Sequence, residues 1–302
     1  MAPQSGRIAV LLFFFVSGYL IAKLLTETYS GRAEAFIRNR FLRIYPIYWA
    51  CALFGLAIVA IIPEVAVKTN KAMTLPSNGN TVFANLFIFG LNGSAERILP
   101  PAWSLHVELV WYCLLFILYT GFRNLRLLLL VAFLPLPVIW AVFYDAGFYG
   151  SWIASGYAFA LGALRYETNF NFPKPVELLA LAAVPVILFA TPLMFDLSGG
   201  NPADLGSWFN LWVAPFVMFV GFGVLLKEAP ETASSSWAGS LSYPVFLVHW
   251  PCAALATKLG ASWGAERFVW AAILTLIVSV VIVLYVEHPL KKKRDAIRAA
   301  KA

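Results

Sequence analysis

The sequence predicts an all-α fold: a polytopic transmembrane helix bundle of about nine spanning helices plus one short interfacial or re-entrant segment. Of its 302 residues, 61% are apolar and only 12% are charged, about half the charged share of a soluble domain. Mean hydropathy is +0.78. Apolar runs of about 20 residues, enough to cross a hydrocarbon core at ~1.5 Å per residue, recur along the chain. The same figures exclude a disordered chain, a soluble nucleic-acid-binding domain, a collagen and a disulfide scaffold.

In chain order, spans are expected near Ile8–Leu25, Arg43–Ile62, Trp103–Gly121, Leu125–Tyr144, Ser151–Leu164, Leu178–Phe195, Trp208–Leu226, Leu241–Lys258 and Phe268–Val286. The first has neither a charged leader nor a small-residue cleavage site before Lys23, so it reads as a span and not a signal peptide. Val82–Leu91 is apolar but too short to cross, which makes it the interfacial or re-entrant piece. Pro135, Pro137, Pro185 and Pro215 fall inside spans, where neighbouring helices satisfy the freed carbonyls. One polytopic domain is expected over residues 1–290, with a basic cytoplasmic tail over 291–302 that lies along the inner leaflet or frays.

The net charge of +7 is distributed around the spans and does not form a stripe. Alternation gathers Arg32, Arg38, Arg40, Arg43, Arg123, Arg126, Arg165, Lys174, Lys227 and six basic residues of the tail, including Arg294 and Lys301, on one side. Arg7, Lys68, Lys71, Arg97, Lys258 and Arg267 fall on the other. The positive-inside rule then predicts an external N-terminus and a cytoplasmic C-terminus. Cys51, Cys113 and Cys252 sit in apolar runs without CxxC spacing, so neither a disulfide nor a metal site is expected.

Polar groups inside spans carry the functional information, because an unpaired charge there costs about 2.5–3.5 kcal/mol or more. Glu108 lies within Trp103-Ser104-Leu105-His106-Val107-Glu108, either as a packing carboxylate bonded by Ser104 or Trp103 or as a polar group in an acceptor-side cavity. His106 points to another face and looks incidental. His249 lies mid-span beside Trp250 and Pro251, where an imbedded imidazole needs partners. Arg40 and Arg43 share a helical face, with Arg38 close by. Such guanidinium forks suit phosphate oxygens, although arginines here could equally fix topology alone.

Together these segments resemble the acyltransferase-3 family of polytopic membrane acyltransferases. Phe13 to Ile21 is similar to the family's FFxxSGFLI, and Arg38 to Trp49 to its RRxxRIYPxYW. Trp103-Ser104-Leu105 with Glu108 matches WSLxxE, and Leu241-Ser242-Tyr243 through His249-Trp250-Pro251 matches LSYxxYLxHxP. Glu287 and Pro289 fit a weaker ExP. Family members typically begin with a further span carrying an arginine and, about ten residues later, a histidine taken as the base. Here the first histidine is His106, and a start at an internal methionine is the expected reason.

The resemblance implies transfer of an acyl group, acetyl or another short acyl by family habit, from acyl-CoA to a hydroxyl of a saccharide or lipid-linked glycan. Arg38, Arg40 and Arg43 would hold the CoA phosphates, with Tyr45 lining the path of the pantetheine arm. Glu108 and His249 would be the catalytic groups, and Trp103, Ser104 and Tyr243 would bind the acceptor. Partners would be the membrane lipid and the carbohydrate acceptor, with no nucleic acid and no metal. The location implied is a bacterial inner (plasma) membrane. An inactive acyltransferase-like subunit and a carrier or flippase for a lipid-linked sugar are the alternatives; a transporter would show paired intramembrane charges or matching interrupted helices.

Overall fold

A computed structural model describes residues 4–143, 151–197, 205–228 and 232–299. Tyr144, the expected end of the fourth span, and Lys301 of the tail lie outside the described residues. The secondary structure among the described residues is helical, as expected: α1 (Gln4–Lys23), α2 (Ala33–Ile61), α3 (Pro63–Thr69), α4 (Gly79–Phe87), α5 (Trp103–Gly121), α6 (Arg126–Ala132), α7 (Leu136–Phe143), α8 (Tyr157–Thr168), α9 (Lys174–Leu197), α10 (Leu205–Glu228), α11 (Ala233–Lys258), α12 (Ala265–Ile282) and α13 (His288–Ala299). One π-helical turn, Leu24–Thr28, follows α1, and another, Val283–Glu287, joins α12 to α13.

Among the described residues, four helices are long and apolar enough to cross a membrane: Gly6–Thr28, Ala33–Ile61, Pro100–Gly121 and Ala265–Ala299. The count is of the described residues alone, and α9 and α10, each of 24 residues, border on residues outside them. The expected fourth span breaks at Phe133–Pro135 into α6 and α7. The fifth becomes helical only at Tyr157 and runs for 12 residues. α11 opens on Ser234, Ser235, Ser236, Ser240 and Ser242, which dilute its apolar character.

The chain divides into two compact units, one of residues 1–31 and 107–230, the other of residues 32–106 and 231–302. In the first, α1 packs on α8 and α10, α10 on α9, and α6 on α8. Two glycines let α1 and α8 meet backbone to backbone. A Cβ on Gly18 would stand 2.1 Å from the Phe159 carbonyl oxygen, and one on Gly162 would stand 1.9 Å from the Phe15 carbonyl oxygen. Small residues at such crossings are how apolar helices associate closely without a hydrophobic drive. Gly18→Leu is therefore expected to separate the pair and destabilise the unit by about 1–3 kcal/mol or more, read as a lowered Tm in detergent; an unchanged Tm would contradict the contact.

In the second unit α2 is the central element, packed by α3, α11, α12 and α13. Ile58 and Val59 of α2 and Ile62 just after it form an apolar cluster with Ala66, Met73 and Ala254. α4 starts at a capping box in which Asn78 and Thr81 bond each other's backbone, satisfying N–H groups that a helix end leaves open. It ends at Ile88, whose φ of 72° turns the chain back. The tail expected to lie on the leaflet or fray continues from Val283–Glu287 as α13 and packs against α2.

Candidate active site

The arginines of α2 separate by what they touch. Arg43 turns inward, and its Nη1 donates to Glu287 Oε1 at 3.1 Å. Arg294, which the charge pattern assigned to a basic tail along the leaflet, reaches the same carboxylate with two bonds of 3.0 and 2.5 Å. Glu287 is only 1% exposed. Burying a carboxylate that deep is costly unless it is paired and hydrogen-bonded, and the bidentate fork of Arg294 supplies both. Two guanidiniums on one carboxylate leave a surplus positive charge, and 38% of the Arg43 side chain remains exposed.

Asn39 fastens this group. Its amide donates to the Arg294 carbonyl at 3.2 Å and its Oδ1 accepts from Arg40 Nη2 at 3.1 Å. Arg40 and Arg43 are thus joined to Glu287 and Arg294 through α2. Arg38 is not. It is 64% exposed on its side chain and pairs with Glu34, 3.5 Å away on the same helix, a surface pair of small energetic weight.

The aromatic residues after the arginines fasten α4. Tyr45, Tyr48 and Trp49 donate to the carbonyls of Phe87, Asn85 and Leu86 at 3.0, 2.6 and 2.9 Å. These are carbonyls at the open C-terminal end of α4, which need donors when buried. Tyr45, expected along the path of the pantetheine arm, is buried with its hydroxyl committed to Phe87. Tyr243, expected to bind the acceptor, donates instead to the Ile44 carbonyl at 3.2 Å and ties α11 to α2.

Two residues that sequence reading passed over organise the return of this segment. Asn85 donates to the carbonyls of Thr81 and Glu96, both at 2.9 Å, and accepts from the Ile98 N–H at 2.9 Å. His106, read as incidental, accepts the Gly90 N–H on Nδ1 at 3.1 Å. The signal for His106 was its place in WSLxxE, one residue after Leu105; for Asn85 there was none beyond a polar residue in an apolar run.

His249 is half-buried, and its Nδ1 lies 2.8 Å from the Phe246 carbonyl. A carbonyl can only accept, so Nδ1 carries the proton and the neutral ring has its lone pair on Nε2. Ser104 is fully buried, with its hydroxyl donated to the Pro101 carbonyl at 2.9 Å. Trp103 opens α5 directly after the turn Pro100–Ala102.

In the other unit, Glu108 is 5% exposed. It accepts from Ser17 Oγ of α1 at 3.3 Å and, on the same oxygen, from the hydroxyl of Tyr112 one turn further along α5. Serine of the FFxxSG segment and glutamate of the WSLxxE segment, 91 positions apart, therefore share one hydrogen bond. Among the described residues no group of three or more His, Cys, Asp or Glu side chains could hold a metal.

Long apolar helices that keep carboxylates, guanidiniums and an imidazole turned inward define an integral membrane protein with polar sites inside its helical packing. The chain belongs to the acyltransferase-3 family, whose acyltransferase domain matches residues 1–286, and it is an acyltransferase of the non-aminoacyl kind. BcsY of Komagataeibacter xylinus, named as a membrane-bound transacylase, is 24% identical over 305 residues, covering 94% of this chain and 75% of its own length. The peptidoglycan O-acetyltransferase OatA of Listeria monocytogenes is 24% identical over 331 residues. That match covers 96% of this chain but 52% of OatA, so the chain spans about half of that relative. The exopolysaccharide production protein ExoZ of Rhizobium meliloti is 25% identical over 325 residues, covering 97% of this chain and 92% of its own. No solved structure matches.

Proposed function

We propose that the protein moves a short acyl group, acetyl in the simplest case, from acyl-CoA to a hydroxyl of a saccharide or lipid-linked glycan. The observation that carries this reading is the positive surplus at Glu287: Arg43 and Arg294 share one carboxylate, and the Arg43 side chain stays partly exposed. A planar fork held from behind and open in front is prepared for a phosphate. Arg40 adjoins it through Asn39, and the exposed Arg38 would contribute a longer-range attraction. Names of relatives that refer to peptidoglycan and to exopolysaccharide support the saccharide acceptor.

The chemistry follows from the residues. An acceptor hydroxyl attacks the thioester carbonyl, forming a C–O bond and expelling the CoA thiolate. A base must take the hydroxyl proton and can return it to the sulfur, so the products are ester and free thiol. His249, with its lone pair on Nε2, is the imidazole suited to that exchange, and Glu108 would orient the acceptor. Nine crossings, an external N-terminus and a cytoplasmic C-terminus complete the reading, with the arginines at the cytosolic face of a bacterial inner membrane where the donor resides.

The test is purified protein in lipid nanodiscs with acetyl-CoA, following thiol release and radiolabel in the saccharide. Arg43→Ala is expected to raise the donor KM about 10- to 100-fold, the loss of a charged hydrogen bond of ~1.5–3 kcal/mol. Arg294 still pairs Glu287 in that variant, so the fold is retained. An unchanged donor KM would remove Arg43 from the phosphate site.

A further inference from the structure

Between α4 and the chain returning from it lies a groove of about 530 Å³ that none of the motifs accounts for. That volume is in the range of ligand sites. One wall is α4, with Asn80, Thr81 and Phe83; the other is the return, with Phe89, Ser94 and Glu96. We propose that this groove is the acceptor site and binds a pyranose of a saccharide, with Phe83 and Phe89 under the ring's C–H face and Asn80 and Glu96 on its hydroxyls. The proposal rests on the acyltransferase reading above and deepens it.

The lining argues for a sugar and against lipid. Phe83 is 54% and Phe89 42% exposed, which a lipid-facing surface would also show. Lipid would not be met by an exposed carboxylate and amide, because an ion facing hydrocarbon is heavily penalised. Hydrogen bonds from Ser77 hold the Glu96 carboxyl below the usual carboxylate range, so the groove keeps a charged acceptor at neutral pH. The exposed Asn80 amide makes no hydrogen bond among the described residues, leaving both its donors and its acceptor for a ligand. Aromatic faces beside such groups match a pyranose, which is apolar above and below its ring and rich in hydroxyls around its edge.

The groove is held rigidly, as a binding site requires. Asn85 pins its two walls together, and the Arg97 guanidinium bonds the Leu91 and Ser94 carbonyls at 3.2 and 2.9 Å while its backbone N–H bonds the Ala72 carbonyl at 2.7 Å. Gly90, at a φ of 88° that favours glycine, makes the turn that His106 secures. The inner end of α4 is fixed at Phe87 by Tyr45, two residues along α2 from Arg43. A saccharide in the groove would therefore be anchored to the same helix that offers the guanidinium for the donor.

The experiment photolabels the full chain in nanodiscs with diazirine-tagged β-1,4-linked tetrasaccharides of glucose and of N-acetylglucosamine, without donor, and maps the labelled peptides. Label is expected within residues 78–96, reduced at least fivefold in Phe89→Ala and in Glu96→Gln. Leu53→Ala, on an exposed face of α2, should label as the parent does, and an unchanged Tm shows that the groove variants fold. Label elsewhere, no label, or equal label in the variants overturns the proposal. Label in the groove from a protein that releases no thiol from acetyl-CoA would support the saccharide site while defeating the transferase reading.

Discussion

Glu287→Ala is expected to destabilise the unit built on α2 by about 3–5 kcal/mol, the loss found when one partner of a buried ion pair is removed. The substitution leaves Arg294 buried and Arg43 beside it, two like charges with the shared carboxylate gone. The effect should be far smaller in Glu287→Gln, which keeps an oxygen acceptor, and should shrink in Glu287→Ala combined with Arg294→Met, which also removes the stranded charge. Thermal unfolding of the single and double variants gives the coupling between them. If the alanine variant shifted stability by no more than a surface substitution, about 0.5 kcal/mol, the pairing would carry none of the weight assigned to it.

Glu108→Gln is expected to lower kcat about 100-fold or more with a small change in Tm. The amide keeps an oxygen that can accept from Ser17 and Tyr112, so the packing between α1 and α5 persists. What changes is the charge and the ability to hold the acceptor hydroxyl in its reacting orientation, and an orientational error alone is worth about two orders of magnitude. Ser17→Ala, which removes one donor to the carboxylate, should cause a milder loss in kcat. Equal loss of Tm and kcat in Glu108→Gln would assign the residue to packing, the plainer of its two sequence readings.

The all-α class followed directly from composition, and α5 has the bounds 103–121 read from its apolar run. The 82–91 stretch was separable because its apolar run is too short to span. Helix continuity was harder to read. Apolarity alone does not register that Pro135 splits 126–143 into two helices or that 151–156 is not helical. The site was legible as residue types and much less as partnerships. Arg43 and Glu287 lie 244 positions apart and Ser17 and Glu108 lie 91 apart; local spacing is silent on such pairs. Reading charge by position sent Arg294 to a tail along the leaflet, whereas the weak ExP match at Glu287 held the one sequence hint that a counter-ion waited there. The resemblance assigned Tyr45 and Tyr243 to the substrates, and it is silent on their backbone partners, the carbonyls of Phe87 and Ile44.

The winding of Val283–Glu287 as a π-turn has a genetic corollary. Such a turn accommodates one residue more than an α-turn of the same rise, so the compass bearing of every later side chain is offset by roughly a quarter of a rotation. Glu287 faces α2 because of that surplus residue as much as because of its own identity. Natural variation in this stretch is therefore constrained in length more tightly than in composition: Val283, Leu284 and Val286 can be exchanged among apolar types, while a single in-frame codon deletion would swing the acid, and Arg294 with it, away from Arg43 without altering any of the three.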